Sequence, residues 1–172
     1  SEAVVTSSYE AIVAASRQEH LYSTFLVPDT PLGRFEAISA HLIVFLRRTK
    51  NAAAPLPDLA QEVVEEFFKD VDHSMRELGI GDPSIPKRMK KMARMFYGRA
   101  ESYGAALESA NLNELSAALH RNIRPDDGVW PQSKSLAHHI AATDAALQTL
   151  PDDDIASGNV RFPLPVIIPV EG

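Results

Sequence analysis

The chain has no cysteine among its 172 residues, which excludes disulfides, a thiolate nucleophile and a zinc-finger scaffold and fits a reducing compartment. Aromatic residues are only 7% of it, with one Trp, and none are interleaved with its basic run. A stacking platform for single-stranded bases is therefore missing, and sequence-specific nucleic-acid recognition is not expected. No run approaches the ~20 apolar residues that span a bilayer. The opening SEAVVTSSYE has neither a charged n-region nor an apolar h-region, so the chain reads as neither secreted nor membrane-spanning. Because Met does not stand first, it also reads as a processed or truncated form. There is no G-x-S-x-G, P-loop or G-x-G-x-x-G, so acyl-transfer and nucleotide chemistry lack an anchor. Internal repeats and a βαβ pattern are absent as well.

What is present is an ordinary globular composition, 45% hydrophobic and 23% charged, of a length that suits one domain. The net charge of −6 argues against wholesale coating of nucleic acid, although a local basic stripe can still act within an acidic protein. Helical periodicity dominates. Ser7 and Glu10 form a capping-box pattern for a helix to about His20, with Ile12, Val13 and Ser16 on one side. After a VPDTP turn, a helix from Pro31 to Thr49 aligns Phe35, Ile38, Leu42, Phe45 and Leu46. Ile43 and Val44 make its second half apolar nearly all round, so it is expected at the centre. Arg47, Arg48 and Lys50 close it, where cations suit the helix dipole.

Asp58 and Gln61 suggest the cap of a third helix, ended by Gly79, with Leu59, Val63, Val64, Phe67, Phe68, Val71, Met75 and Leu78 buried. A fourth, from Ser84 to Ser109, is expected to bury Ile85, Met89, Met92, Phe96, Tyr103 and Leu107. Asn113 is read as the cap of a fifth helix to Ile123, and a sixth runs from Gln132 to Leu150. The last stretch, PDDDIASGNVRFPLPVIIPVEG, has too many prolines for a helix. The expected fold is an all-α, single-domain bundle of about six helices, with a helical domain over 1–150 and an extended Pro-rich C-terminal tail over 151–172 packed on or beside it.

Glu62, Glu66, Asp70 and His73 share one sector of the third helix, a spacing at which carboxylates and an imidazole converge on a metal. Glu65–Lys69 and Asp72–Arg76 stand at i, i+4 beside them, as on a solvated charged helix, and no second helix carries a matching Glu-x-x-His. The charged-surface reading is preferred, with no metal, cofactor or catalytic residue expected. His138 and His139 diverge by about 100° and cannot ligate together on one face. His41, one heptad after Arg34, reads as a hydrogen-bonded boundary histidine.

Lys87, Arg88, Lys90, Lys91 and Arg94 differ in kind, since four of them (Lys87, Lys90, Lys91 and Arg94) fall opposite Met89, Phe96 and Leu107 and make a positive strip. Such a strip suits phosphate on RNA or lipid, or an acidic protein surface. Gly98 lies mid-helix on that polar side, where it costs roughly 1 kcal/mol relative to Ala. A loop or tail of this chain, or a partner, is expected to approach its backbone. Gly104 points to the apolar side and is assigned to close helix packing.

Taken in order, PDTPLGRFEAISAHLIVFLRR, FFKDVDHSMRELGIGD, KRMKKMARMFYGRAESYGAAL and LSAALHRNI resemble the ubiquinol–cytochrome c chaperone family. The resemblance spans about Tyr9 to Ile123, with IASGNVRFPLP a weaker continuation, and it looks bacterial in form. It implies a non-enzymatic assembly factor for the cytochrome bc1 complex that receives newly made cytochrome b. It further implies a small partner protein and contact with the ribosome, and the basic strip adds peripheral contact with an anionic membrane as an expectation. The implied location is the bacterial cytoplasm beside the inner membrane, or the mitochondrial matrix side if a leader has been removed. The positions that match the family's motifs are Arg34, Phe35, His41, Asp70, Asp72, Arg76, Gly79, Asp82, Tyr97, Gly98, Arg99, Tyr103, Arg121 and Asn122. With the basic strip, Arg34, His41, Asp70, Asp72, Arg76, Tyr97, Gly98, Arg99, Tyr103, Arg121 and Asn122 are the candidate partner-binding residues. A competing expectation is a helical lipid- or quinone-related enzyme or carrier built on a core pocket near Arg34 and His41.

Overall fold

The computed structural model describes residues 1–165. Among them are eight α-helices: α1 (Glu2–Ser16), α2 (Glu19–Ser23), α3 (Pro31–Thr49), α4 (Leu56–Glu77), α5 (Ile85–Glu108), α6 (Leu112–Ile123), α7 (Ser133–Gln148) and α8 (Asp152–Ala156). The six long helices are the expected six, and no strand occurs among the described residues.

Helix α3 lies at the centre, packed against α1, α4, α5, α6 and α7. Thr30 caps it by accepting from the Gly33 amide at 3.1 Å, and Pro31 enters its first turn, where a missing N–H costs nothing. Gly33 is required there, because a Cβ would sit 1.7 Å from the Pro28 carbonyl oxygen. Leu42, Ile43, Val44 and Phe45 are all buried, so this segment faces neighbours on every side. Its Phe35 stacks on Phe67 of α4, with centroids 5.7 Å apart, and Phe67 in turn meets Phe96 of α5 in a tilted contact at 5.3 Å.

Several boundaries differ from the sequence expectation. Helix α1 starts at Glu2, capped by Ser1, whose hydroxyl accepts from the Val4 amide. Ser7 does not cap, because its hydroxyl donates to the Gly158 carbonyl at 2.9 Å. The chain breaks after Ser16 and restarts as α2, whereas one helix to His20 was expected. Asn111, not Asn113, caps α6 by accepting from the Glu114 amide at 3.0 Å. Helix α4 begins at Leu56 without a side-chain cap, so Asp58 and Gln61 do not start it.

The end of α4 follows the expectation. Gly79 adopts φ +82°, and the amides of Gly79 and Ile80 bond back to the carbonyls of Arg76 and Met75, the pairing of a Schellman cap. Leu78, expected in the core, is instead 60% exposed at this end, because the reversal at Gly79 carries it off the packed face. The Pro-rich stretch also contains a short helix, α8, whose Ile155 is fully buried. Pro151 stands just ahead of it, where its lack of an N–H is harmless. Beyond Ser157 the described chain is non-helical, with Val160 buried and Phe162 packed on the core. The VIIPV segment lies outside the described residues.

Candidate functional site

Helix α5 joins a buried face to an unusually basic one. Ile85, Phe96, Tyr103 and Ala106 are buried, while Met89, Met92 and Leu107, expected in the core, are half-buried at its edge. Opposite lie Lys87, Lys90, Lys91, Arg94 and Gly98, all exposed, with exposed Arg88 alongside. No carboxylate stands between Asp82 and Glu101, so the strip has no acidic neighbour one turn away along most of its length. None of the five cations forms an ion pair with the described residues. They occupy the first turns of the helix, the end where cations oppose the dipole.

Gly98 sits on this face with nothing within 4 Å of the position a Cβ would take. Among the described residues no loop or tail covers it, contrary to the expectation that the chain approaches this backbone. At Gly104 a Cβ would likewise meet nothing within 4 Å, so tight helix packing does not explain it, although its carbonyl accepts from Arg47 at 3.4 Å. Tyr97 flanks the face, 54% exposed, with its ring 6.2 Å from Phe68 and 5.3 Å from Phe96.

Other candidate residues are committed to the fold. Arg99 forks onto Glu36, with Nε and Nη2 donating to the two carboxylate oxygens at 2.6 and 2.8 Å. Both side chains are buried, at 10% and 5% exposure. Burial pushes the Glu36 carboxyl up while Arg99 opposes that shift, and the two-pronged geometry is that of an ionised pair. Tyr103 is fully buried and accepts from the Asn122 amide at 3.3 Å. Burial also raises its phenol above the usual range. Neither side chain is exposed on the surface of the bundle.

His41 is also a correction, since it lies in the core rather than at a boundary. Its Nδ1 bonds the Ala37 carbonyl at 2.7 Å, and its Nε2 has no partner. The His139 ring, 5.9 Å away, is buried too, with its own Nε2 unpartnered. Burial, then the neighbouring His41, lowers His139 to about 4, and burial lowers His41 as well. His138 points outward.

The acidic sector of α4 does not assemble a metal centre. Asp70 accepts from the Tyr9 hydroxyl at 2.6 Å, Glu66 pairs with Lys69 at 3.3 Å, and His73 meets Glu77 at 3.1 Å. Lys69 thus pairs with Glu66 rather than the expected Glu65. Burial and the Asp70 bond raise the Tyr9 phenol. Among the described residues no cluster of three or more such side chains is placed to hold a metal. Arg76 bonds Asp72 at 2.8 Å and also Asp82, which clamps the turn between α4 and α5. Arg34 is exposed and pairs with Asp29 at 2.9 Å. It lines an open hollow with Arg17, Glu19, Tyr22, Ser23 and Asp29, and His41 is not part of that hollow. Arg121 is exposed on α6 without an ion pair among the described residues.

Residues 23–162 match the family model for the ubiquinol–cytochrome c chaperone. The chain belongs to the ubiquinol–cytochrome c chaperone family. The match runs through α7 and α8 to Phe162, well past the four motifs legible in the sequence. The fold is similar to the crystal structure of the Cbp3 homolog from Brucella abortus, with 52% identity and a TM-score of 0.88. That similarity covers 94% of this chain and 89% of the other. No curated protein sequence matches the chain.

What sequence reasoning missed is Glu36, buried beneath Arg99, and the grip of Arg47 and Arg48. Arg47 bonds Asp144 at 2.9 Å and Glu108 at 3.2 Å, while Arg48 donates to the Leu147 and Leu150 carbonyls and to Asp152. These two arginines tie α3 to α5, α7 and α8 in addition to sitting at its dipole end. A charged residue inside an apolar stripe, as Glu36 is, was the available signal.

Proposed function

We propose that the chain is a non-enzymatic assembly chaperone of the cytochrome bc1 complex that binds newly made cytochrome b. The family match over residues 23–162 carries this reading. The arrangement of the chain supports it: the charged groups that pair in the interior, Glu36 with Arg99 and Asp144 with Arg47, hold helices together. The exposed face of α5, centred on Tyr97 and Gly98, is left uncovered by the described residues. An exposed ring beside bare backbone suits close contact with an apolar or helical client segment. No helix among the described residues is long and apolar enough to cross a membrane. On this reading the chaperone works at the cytoplasmic face of a bacterial inner membrane.

The rival reading, a quinone- or lipid-related carrier, needs Arg34 and His41 at one pocket. Arg34 is a surface residue and His41 a core one, so that reading has no geometric support. The test is the absorption spectrum of membranes from cells lacking the protein. Assembled bc1 complex and cytochrome b should fall, with unchanged turnover for each complex that does assemble. Normal cytochrome b levels would overturn the assignment.

A further inference from the structure

Residues 76–94 hold six cations and two carboxylates in a chain of net charge −6. Both carboxylates are engaged, Glu77 by His73 and Asp82 by Arg76, whereas Lys87, Arg88, Lys90, Lys91 and Arg94 are unpaired and exposed. The Schellman cap at Gly79 reverses the chain, so Leu78 and the first turn of α5 share one end of the α4–α5 hairpin. Leu78 stands out there with 60% of its surface exposed. An isolated apolar side chain is ordinary, but this one stands at the end of the hairpin from which the run of free positive charge starts.

We propose that the tip of the α4–α5 hairpin docks on an anionic lipid bilayer, with Leu78 in the acyl boundary and Lys87, Lys90, Lys91 and Arg94 on the headgroups. A bilayer interface supplies both things this surface lacks, an apolar layer for the leucine and a sheet of negative charge for the lysines. A nucleic-acid backbone would satisfy the lysines and leave Leu78 in water. The first turns of α5 also lack an aromatic side chain, and Tyr97 lies beyond Arg94, so base stacking has no platform there. The placement of the cations points to selection for binding rather than for folding, because the start of a helix is where positive charge is least welcome. The inference is independent of the client assignment, since it concerns the chaperone and lipid alone.

The experiment is co-sedimentation of the full chain with vesicles of phosphatidylcholine, with and without phosphatidylglycerol. Binding should require phosphatidylglycerol and weaken steeply as salt rises. The double variant Lys87→Glu, Lys91→Glu should bind at least about tenfold more weakly, while its melting temperature stays level or rises, because Glu suits a helix N-terminus. Leu78→Ser, which leaves every charge in place, should also bind more weakly, with loss of the component that resists salt. Lys50→Glu with Lys134→Glu, exposed cations elsewhere, should bind as the wild type does. Wild-type protein that ignores phosphatidylglycerol at low salt would overturn the proposal. So would Leu78→Ser with unchanged lipid binding, above all if the lysines instead governed retention on a single-stranded RNA oligomer.

Discussion

Arg47, Arg48 and Arg99 are held by carboxylates or carbonyls, whereas Lys87, Lys90, Lys91 and Arg94 touch no acidic group among the described residues. The residue types are similar and the surroundings opposite. At the first set, planar guanidinium forks join helices that lie far apart in sequence. Removing one of them strands a partner in low dielectric. At the second set, the charges are exposed and unpaired among the described residues, and Lys87 stands against the dipole of its own helix, so the fold gains little from them. Positive charge in this protein is therefore divided between what builds the bundle and what the bundle carries on its outside.

The sharpest way to break that division is Arg99→Ala. Glu36 would be left buried and unpaired, and stability in urea titration should fall by about 3–5 kcal/mol. Replacing Glu36 and Arg99 together by Gln and Met should lose much less, and equal losses would show that the pair itself is not the cause. Next in size is the interior's response to acid. His139 titrates near 4 when folded, below its ordinary 6.5, so the unfolded chain takes up a proton that the folded chain refuses. The associated stability is complete above about pH 6.5. It declines as pH falls towards 4, by on the order of 3 kcal/mol for a shift of that size. His139→Phe should flatten this slope in pH-dependent melting, and an unchanged slope would refute the assignment.

Arg47→Ala should cost about 1–3 kcal/mol in the same titration, because Asp144 loses its partner at an 11%-exposed site. A loss as small as that of an exposed ion pair would erase the contrast with the lysine strip. Smallest is Gly98→Ala, which adds a methyl where nothing lies within 4 Å. It should raise stability by up to ~1 kcal/mol. A destabilising result would mean that something covers this backbone after all.

Much of the bundle was legible because it rests on local signals. The 3.6-residue apolar period, Pro31 at a helix start and Gly79 at a helix end each report on their own neighbourhood, and each stands where the sequence placed it. Helix starts were less secure, since Ser7 and Asn113 have the right chemistry for caps. Whether a serine caps or bonds elsewhere depends on Gly158, 151 residues away. The same limit hid the Glu36–Arg99 pair, separated by 63 residues, and it made His41 look like a boundary residue. Periodicity reports which side of a helix is apolar and not how many helices surround it. The basic strip needed no tertiary knowledge, because four cations on one face without an intervening carboxylate are visible in the sequence alone. That Gly98 is bare could only come from the fold.

The central claim, that the open face of α5 meets the client, is tested most directly by site-specific crosslinking. The chain has no cysteine, so Gly98→Cys places a single thiol on that face, and His138→Cys places one on the exposed side of α7 as a control. Each is coupled to a photoactivatable crosslinker in cells making the bc1 complex. The account predicts a crosslink from position 98 to newly made cytochrome b, lost when cytochrome b synthesis is blocked, and none from position 138. Cytochrome b captured from position 138 and not from position 98 would contradict it.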